Sequence, residues 1–253
     1  MRGDILKKKL MVLCAVAIII STCLSGCKMN SGKIRFGSAG IGGTYQIFGD
    51  TFANLISSKS KKYNIEVKTT AGSAANLRLL SKDYIQMAVA QMDLINDAYN
   101  RTGIFENDKK YQGYRAVASL YTEACQIVVP ADSDIQSMDD LEGKKVCIGE
   151  EESGTEQNAL QILNAYGLNE RLVDTVNLNY TDAAKKLKSG DIDAFFCTAG
   201  VQTTVINELS KQCKIRLVSL DQKGVSRLKK SYKFYTEYTI PAGTYAVSYT
   251  HLR

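Results

Sequence analysis

Four times along this 253-residue chain a short apolar run ends in a turn of glycine and small hydroxyl residues, with a helix-like pattern behind it. The turns are Gly40–Thr44, Gly72–Ser73, Ser153–Thr155 and Thr198–Gly200. The apolar runs, such as Met87–Ala90, Lys145–Ile148 and Ile192–Cys197, have strand length. Tyr63, Ile65 and Val67 alternate with polar residues as another strand would. Phe48, Phe52, Leu55 and Ile56 fall on one face of a helix, as do Ala159, Leu160, Leu163 and Tyr166 ahead of Gly167. Strands alternating with helices confine the chain to an α/β fold with largely parallel sheets. Ligands of such sheets bind beyond the carboxyl ends of the strands, where these turns lie. One set precedes Cys125 and one follows it, which predicts two lobes facing one cleft. Tyr114–Tyr121 also reads as a strand, leading into Cys125–Val129.

The first turn, with Gly42, Gly43, Thr44 and Tyr45, can turn backbone N–H groups toward an anion. A helix starting there, with Thr44 as its expected N-cap, adds free donors and a partial positive charge. Gly37 and Gly42 have Walker A spacing, but Gly43 stands where that motif needs its lysine, which disfavours a nucleotide triphosphate. The dinucleotide pattern also fails, because Tyr45 replaces its last glycine. Ser73 and Asn76 are read either as a helix cap or as polar groups facing a ligand. Gln91 and Asp93 follow a strand directly, and Asp93 suits either a ligand ammonium or a cap. Ser153, Gly154, Thr155, Thr198 and Gly200 furnish the opposite wall. Tyr121, Glu123 and Gln202 are weaker cleft candidates, and Glu150–Glu152 reads as a solvated loop. Ser153-Gly154-Thr155 lacks the frame of a nucleophile elbow. The one histidine, His251, lies two residues from the end, which disfavours a histidine triad or a histidine-rich metal site. Hydroxyls and amides without an evident base are the inventory of a binding site, with no metal or cofactor expected. An extracytoplasmic enzyme on the same scaffold is the alternative, with Asp93, Glu123 and Glu150–Glu152 as its available acids.

The formal charge of +6 is partly local: Arg2, Lys7, Lys8 and Lys9 against Asp4 carry +3, leaving +3 for the rest. That remainder has no basic stripe interleaved with aromatics, so nucleic acid is not an expected partner. The basic cluster precedes an apolar run, Leu10–Ile20, shorter than the roughly 20 residues of a membrane span. Residues 1–26 therefore read as an export signal. Leu24-Ser25-Gly26-Cys27 resembles a lipobox, which implies a lipid on Cys27 and an extracytoplasmic body tied to a bacterial membrane. An ordinary transmembrane anchor is the other reading. Residues 27–32 form a polar tether. Cys125, Cys147, Cys197 and Cys213 have no CxxC spacing and are read as buried thiols or as disulfide partners outside the cell.

The motifs together resemble the TAXI family of TRAP-transporter solute receptors. They are Gly40–Tyr45, Thr70–Leu80, Met87–Asp93, Leu141–Val146, Ser153–Thr155, Ile192–Gly200 and Tyr238–Tyr245, in order and at matching spacing. The resemblance implies a periplasmic-binding-protein fold of type II, with two α/β lobes around a ligand cleft. It implies capture of a small carboxylate or amino acid, often glutamate-like, and delivery to an ion-driven membrane permease. Lobe one is then expected over 33–124, lobe two over 125–235, and a crossover back over 236–245. Family members continue well beyond Tyr245, so 246–253 is expected to be a non-native end of a truncated chain.

Overall fold

A computed structural model describes residues 33–108, 111 and 113–245. The expected signal 1–26, the tether 27–32 with Cys27, and the end 246–253 lie outside the described residues.

Lys33–Gly37 forms β1, the central strand of a three-stranded sheet. It pairs in parallel with β2 (Asn64–Lys68) on one side and β3 (Met87–Ala88) on the other. The connections are helical, as parallel pairing requires: α1 (Thr44–Lys59) follows β1 and α2 (Ser73–Ser81) follows β2. Phe36 of β1 is buried against Phe48 and Phe52 of α1, with ring centroids 6.1 and 5.8 Å away. A Cβ on Gly49 would come within 3.1–3.3 Å of Val67 and Phe36, so glycine there lets α1 approach the sheet closely. Leu55, expected on this inward face, is instead 53% exposed. Sixteen helical residues reach about 24 Å while five-residue strands reach about 17 Å, so the last turns of α1 run past the sheet. After β3 comes α3 (Met92–Asn100), and Leu77, Leu94, Ala98 and Phe105 form a second small core.

Tyr114–Tyr121 is not a strand, and Val117 is 85% exposed. It pairs with no strand among the described residues, and an extended segment without a partner gains no ladder bonds.

The chain enters the second lobe through β4 (Ala124–Pro130). There follow β5 (Lys145–Cys147), α4 (Gly154–Ala165), β6 (Asp174–Val176), α5 (Tyr180–Ser189), β7 (Ala194–Ala199), α6 (Thr204–Gln212), β8 (Ile215–Leu217) and α7 (Gln222–Ser231). The sheet order is β6-β5-β7-β4-β8. β5 runs parallel to β6 and β7, but β4 is antiparallel to β7 and β8. This sheet is therefore mixed, since β4 arrives from the other lobe and not through a crossover helix. β7 is buried throughout, and its pleat sends Phe195 to one core and Phe196 to the other. Ile240 and Tyr245, in the segment expected to cross back, are buried in the Phe195 core. Tyr245 Oη donates to Gln126 Oε1 and accepts from Gln202 N at 3.1 Å. Among the described residues Cys125, Cys147, Cys197 and Cys213 are free thiols, with Cys147 and Cys197 buried. Among the described residues no helix is long and apolar enough to cross a membrane, and no His, Cys, Asp and Glu cluster could hold a metal ion.

Candidate solute cleft

The turns do converge. A cavity of about 30 Å³ lies between the lobes, lined by Gly43, Thr44, Tyr45, Gly72, Ser73 and Gln91 from the first. The second supplies Ser153, Gly154, Thr155, Tyr180, Thr198 and Ala199, and Glu123 lies at the junction. Hydrogen bonds cross the cleft from Gln91 to Asn158 and from Thr181 to Ile41, so the lobes stand closed on each other.

On the first lobe, Gly42 has φ +92°, a conformation that favours glycine, and its N–H donates to Gln46 Oε1 at 3.1 Å. A Cβ on Gly43 would come 3.3 Å from the Tyr180 ring, so this glycine brings the turn against the other lobe. Thr44 is not the N-cap: Gly43 holds that position and Thr44 is the first helical residue, leaving its side chain to line the cavity. Ser73 is likewise one residue inside α2, behind Gly72. Its hydroxyl accepts from Gln91 N at 3.1 Å.

Asn76 does not face the cleft. It is fully buried, donating to Ser38 O at 2.7 Å and Val89 O at 2.9 Å while accepting from Thr70 Oγ1 at 2.8 Å. It ties three strand-end loops together behind the wall. Asp93 also lies outside the cavity lining. Its Oδ1 accepts from Leu94 N at 2.9 Å and its Oδ2 from Asn158 Nδ2 at 3.4 Å, and burial raises its carboxyl above the usual range. Gln91 reaches across the cleft, its Nε2 donating to Asn158 Oδ1 at 2.9 Å. Its Oε1 is buried without a hydrogen-bond partner and lies where a Cβ on Gly154 would stand.

On the second lobe, Ser153 caps α4, its hydroxyl accepting from Glu156 N at 3.0 Å. Thr155, Tyr180 and Thr198 close a ring of hydrogen bonds. Thr198 N donates to Thr155 Oγ1 (3.3 Å), the Thr155 and Tyr180 hydroxyls lie 2.5 Å apart, and Tyr180 Oη donates to Thr198 O (2.9 Å). Thr198 Oγ1 itself is buried without a partner. Gly200 is beside the lining; a Cβ on it would meet Thr44 Oγ1 and the Tyr121 ring, each 3.6 Å away.

Two residues carry more of this site than the sequence reading gave them. Tyr180 follows the N-cap Asn179 and carries no distinguishing local pattern. Glu123 stood among the weaker candidates; its position just ahead of β4 was the available signal. Its Oε2 accepts from Tyr45 Oη at 3.0 Å and its Oε1 from Tyr121 Oη at 3.5 Å. Burial, with the Asp93 carboxylate adding to it, pushes Glu123 up to about 7. Burial and the nearby Glu123 charge hold the Tyr45 hydroxyl well above its usual value.

Glu150–Glu152 is not merely a solvated loop. Glu152 O accepts from Ala74 N (3.1 Å) and Ala75 N (3.2 Å), two of the donors that the start of α2 leaves unpaired. Its carboxylate pairs with Arg78 Nε at 2.9 Å, and Arg78 also pairs with Asp108. A further tie across the lobes runs from Thr181 Oγ1 to Ile41 O at 3.1 Å.

Several solved structures share this architecture. The alkanesulfonate-binding protein from Xanthomonas axonopodis pv. citri, bound to MOPS, has 18% identity over 74% of this chain and 60% of its own, with a TM-score of 0.50. An ancestral arginine-binding protein bound to arginine has 18% identity, 80% and 93% coverage, and a TM-score of 0.50. A binding-protein component of an ABC phosphonate transporter from Pseudomonas aeruginosa has 12% identity, 85% and 77% coverage, and a TM-score of 0.53. The chain thus spans less than two thirds of the first protein's length. At such identities the likeness is one of fold, the two-lobed α/β fold of type II periplasmic binding proteins. The sequence itself matches the model of the NMT1-like family over residues 36–251, and the chain belongs to that family.

Proposed function

We propose that this protein is the extracytoplasmic solute-binding component of a TRAP-type secondary transporter of the TAXI kind. It captures a small carboxylate, such as glutamate or a related amino or organic acid, and delivers it to a membrane permease. Lipid on Cys27 would hold it at the cell membrane. The observation that carries this reading is the convergence of strand-end turns from two lobes on one cavity. Gly43 and Thr44 bring a helix start to one side, and Ser153–Thr155 and Thr198 face them. A cavity of about 30 Å³ is too small for such a solute, so entry requires the lobes to part about the Glu123 junction. The solute then touches both lobes only when they close again. A few hydrogen bonds of roughly 0.5–1.5 kcal/mol each, with stronger charge-assisted ones, support micromolar binding at about −8 kcal/mol. Calorimetry of the full chain against L-glutamate, L-glutamine and dicarboxylates is expected to find such a ligand. Binding to none of a broad panel of small carboxylates would refute the carboxylate class. Turnover of any bound solute, lost in Glu123→Gln, would favour an enzyme instead.

A further inference from the structure

The charges around the cleft are one-sided. Among the described residues Glu123 is the only charged side chain in the cavity lining, and Asp93 lies close enough to raise its carboxyl. No lysine or arginine lines the cavity among the described residues. Arg78, the base on the adjoining helix, is held by Asp108 and Glu152. A plain dicarboxylate would bring two more negative charges beside Glu123, in a setting where burial strengthens every repulsion.

The hydrogen bonds lean the same way. Tyr45, Tyr121 and Gln91 donate to Glu123, filling three of its roughly four acceptor positions. Gln91 Oε1, a further acceptor, is buried with no partner in the same lining. Surplus acceptors with no cation call for a ligand group that donates several hydrogen bonds and carries positive charge.

We propose that Glu123 is a specificity-determining residue: it is the counter-charge of a cation subsite, so the solute is a carboxylate that also carries an ammonium group. This rests on the solute-receptor reading above. The α1 turn takes the carboxylate, while Glu123, aided by Gln91, takes the ammonium. Organic acids lacking the ammonium are then rejected.

The test pairs L-amino acids with 2-oxo acids of the same carbon skeleton, beginning with L-glutamate and 2-oxoglutarate, by calorimetry on the full chain. The amino acid is expected to bind at least about tenfold more tightly than its oxo partner. Glu123→Gln keeps the shape and one acceptor oxygen, and is expected to abolish that preference. If Glu123 only positions Tyr45 and Tyr121, the substitution weakens both members of a pair equally. That result overturns the proposal, as does an oxo acid that binds wild type as tightly as its amino partner. Wild-type protein supplies the second of these tests, so a Glu123→Gln chain that fails to fold does not remove it. If no carboxylate binds, the carboxylate reading fails, and putrescine decides the subsite alone. Putrescine binding abolished by Glu123→Gln supports it, and no putrescine binding overturns it.

Discussion

Single residues in this cleft are constrained by backbone and burial more than by side-chain reach. Gly72 has φ +130° and ψ −144°, a region that is essentially glycine's own. Gly72→Ala is expected to cost about 1–3 kcal/mol, lowering the melting temperature by several degrees. An unchanged melting curve would refute that account of the turn. Glu123 carries the pH prediction. Its carboxyl titrates near 7 in the folded chain, above its ordinary range, so stability present in acid is lost as pH rises from about 4.5 to 7. The loss amounts to about 3 kcal/mol. The groups facing it are Tyr45, Tyr121, Gln91 and Asp93. Both tyrosines are pushed up and stay protonated in this window, while Asp93 is raised and adds to the same slope. Urea unfolding at pH 5 and pH 8 should show the loss, and Glu123→Gln should remove most of it. Gly43, Thr44, Ser73 and Gly154 were legible as residues of the cavity wall because parallel strands place the turns at their carboxyl ends on one side of the sheet. Asn76 was misread for a physical reason: a polar residue near a helix start satisfies loop carbonyls as readily as a ligand, and sequence does not reveal which way it points.

Among elements, helices with a full apolar face and strands between two cores were legible in their periodicity. Tyr114–Tyr121 shows the limit, since strand-like composition describes a segment able to pair and not one that has a neighbour. The loop Glu150–Glu152 shows another. Glu152 adopts φ +63°, unusual for a side-chain-bearing residue, and from there its carbonyl meets α2 while its carboxylate meets Arg78. Three consecutive acids suggest solvent, yet this one joins the lobes. Glu152→Ala removes a half-exposed ion pair, worth up to about 1 kcal/mol. We expect solute affinity to fall by up to about fivefold and small-angle scattering to report a more open average shape. Unchanged affinity and shape would show that the backbone contacts alone hold the lobes together.

For the whole molecule, sequence by itself determined the α/β class, the two sets of strands and the positions of the strand-end turns. These follow from local rules: period, turn chemistry and the placement of parallel strand ends. Tertiary structure decided how the sets meet. It made β4 antiparallel, because that strand comes from the other lobe. It set Tyr180 against Gly43 and Gln91 against Gly154, contacts between residues distant in sequence. It also set a half-buried Glu123 against two tyrosines with no base in the lining, which turned an ordinary acid into the charged centre of the cleft. Burial and charge pairing depend on every group that surrounds a residue, and only the folded chain assembles those neighbours.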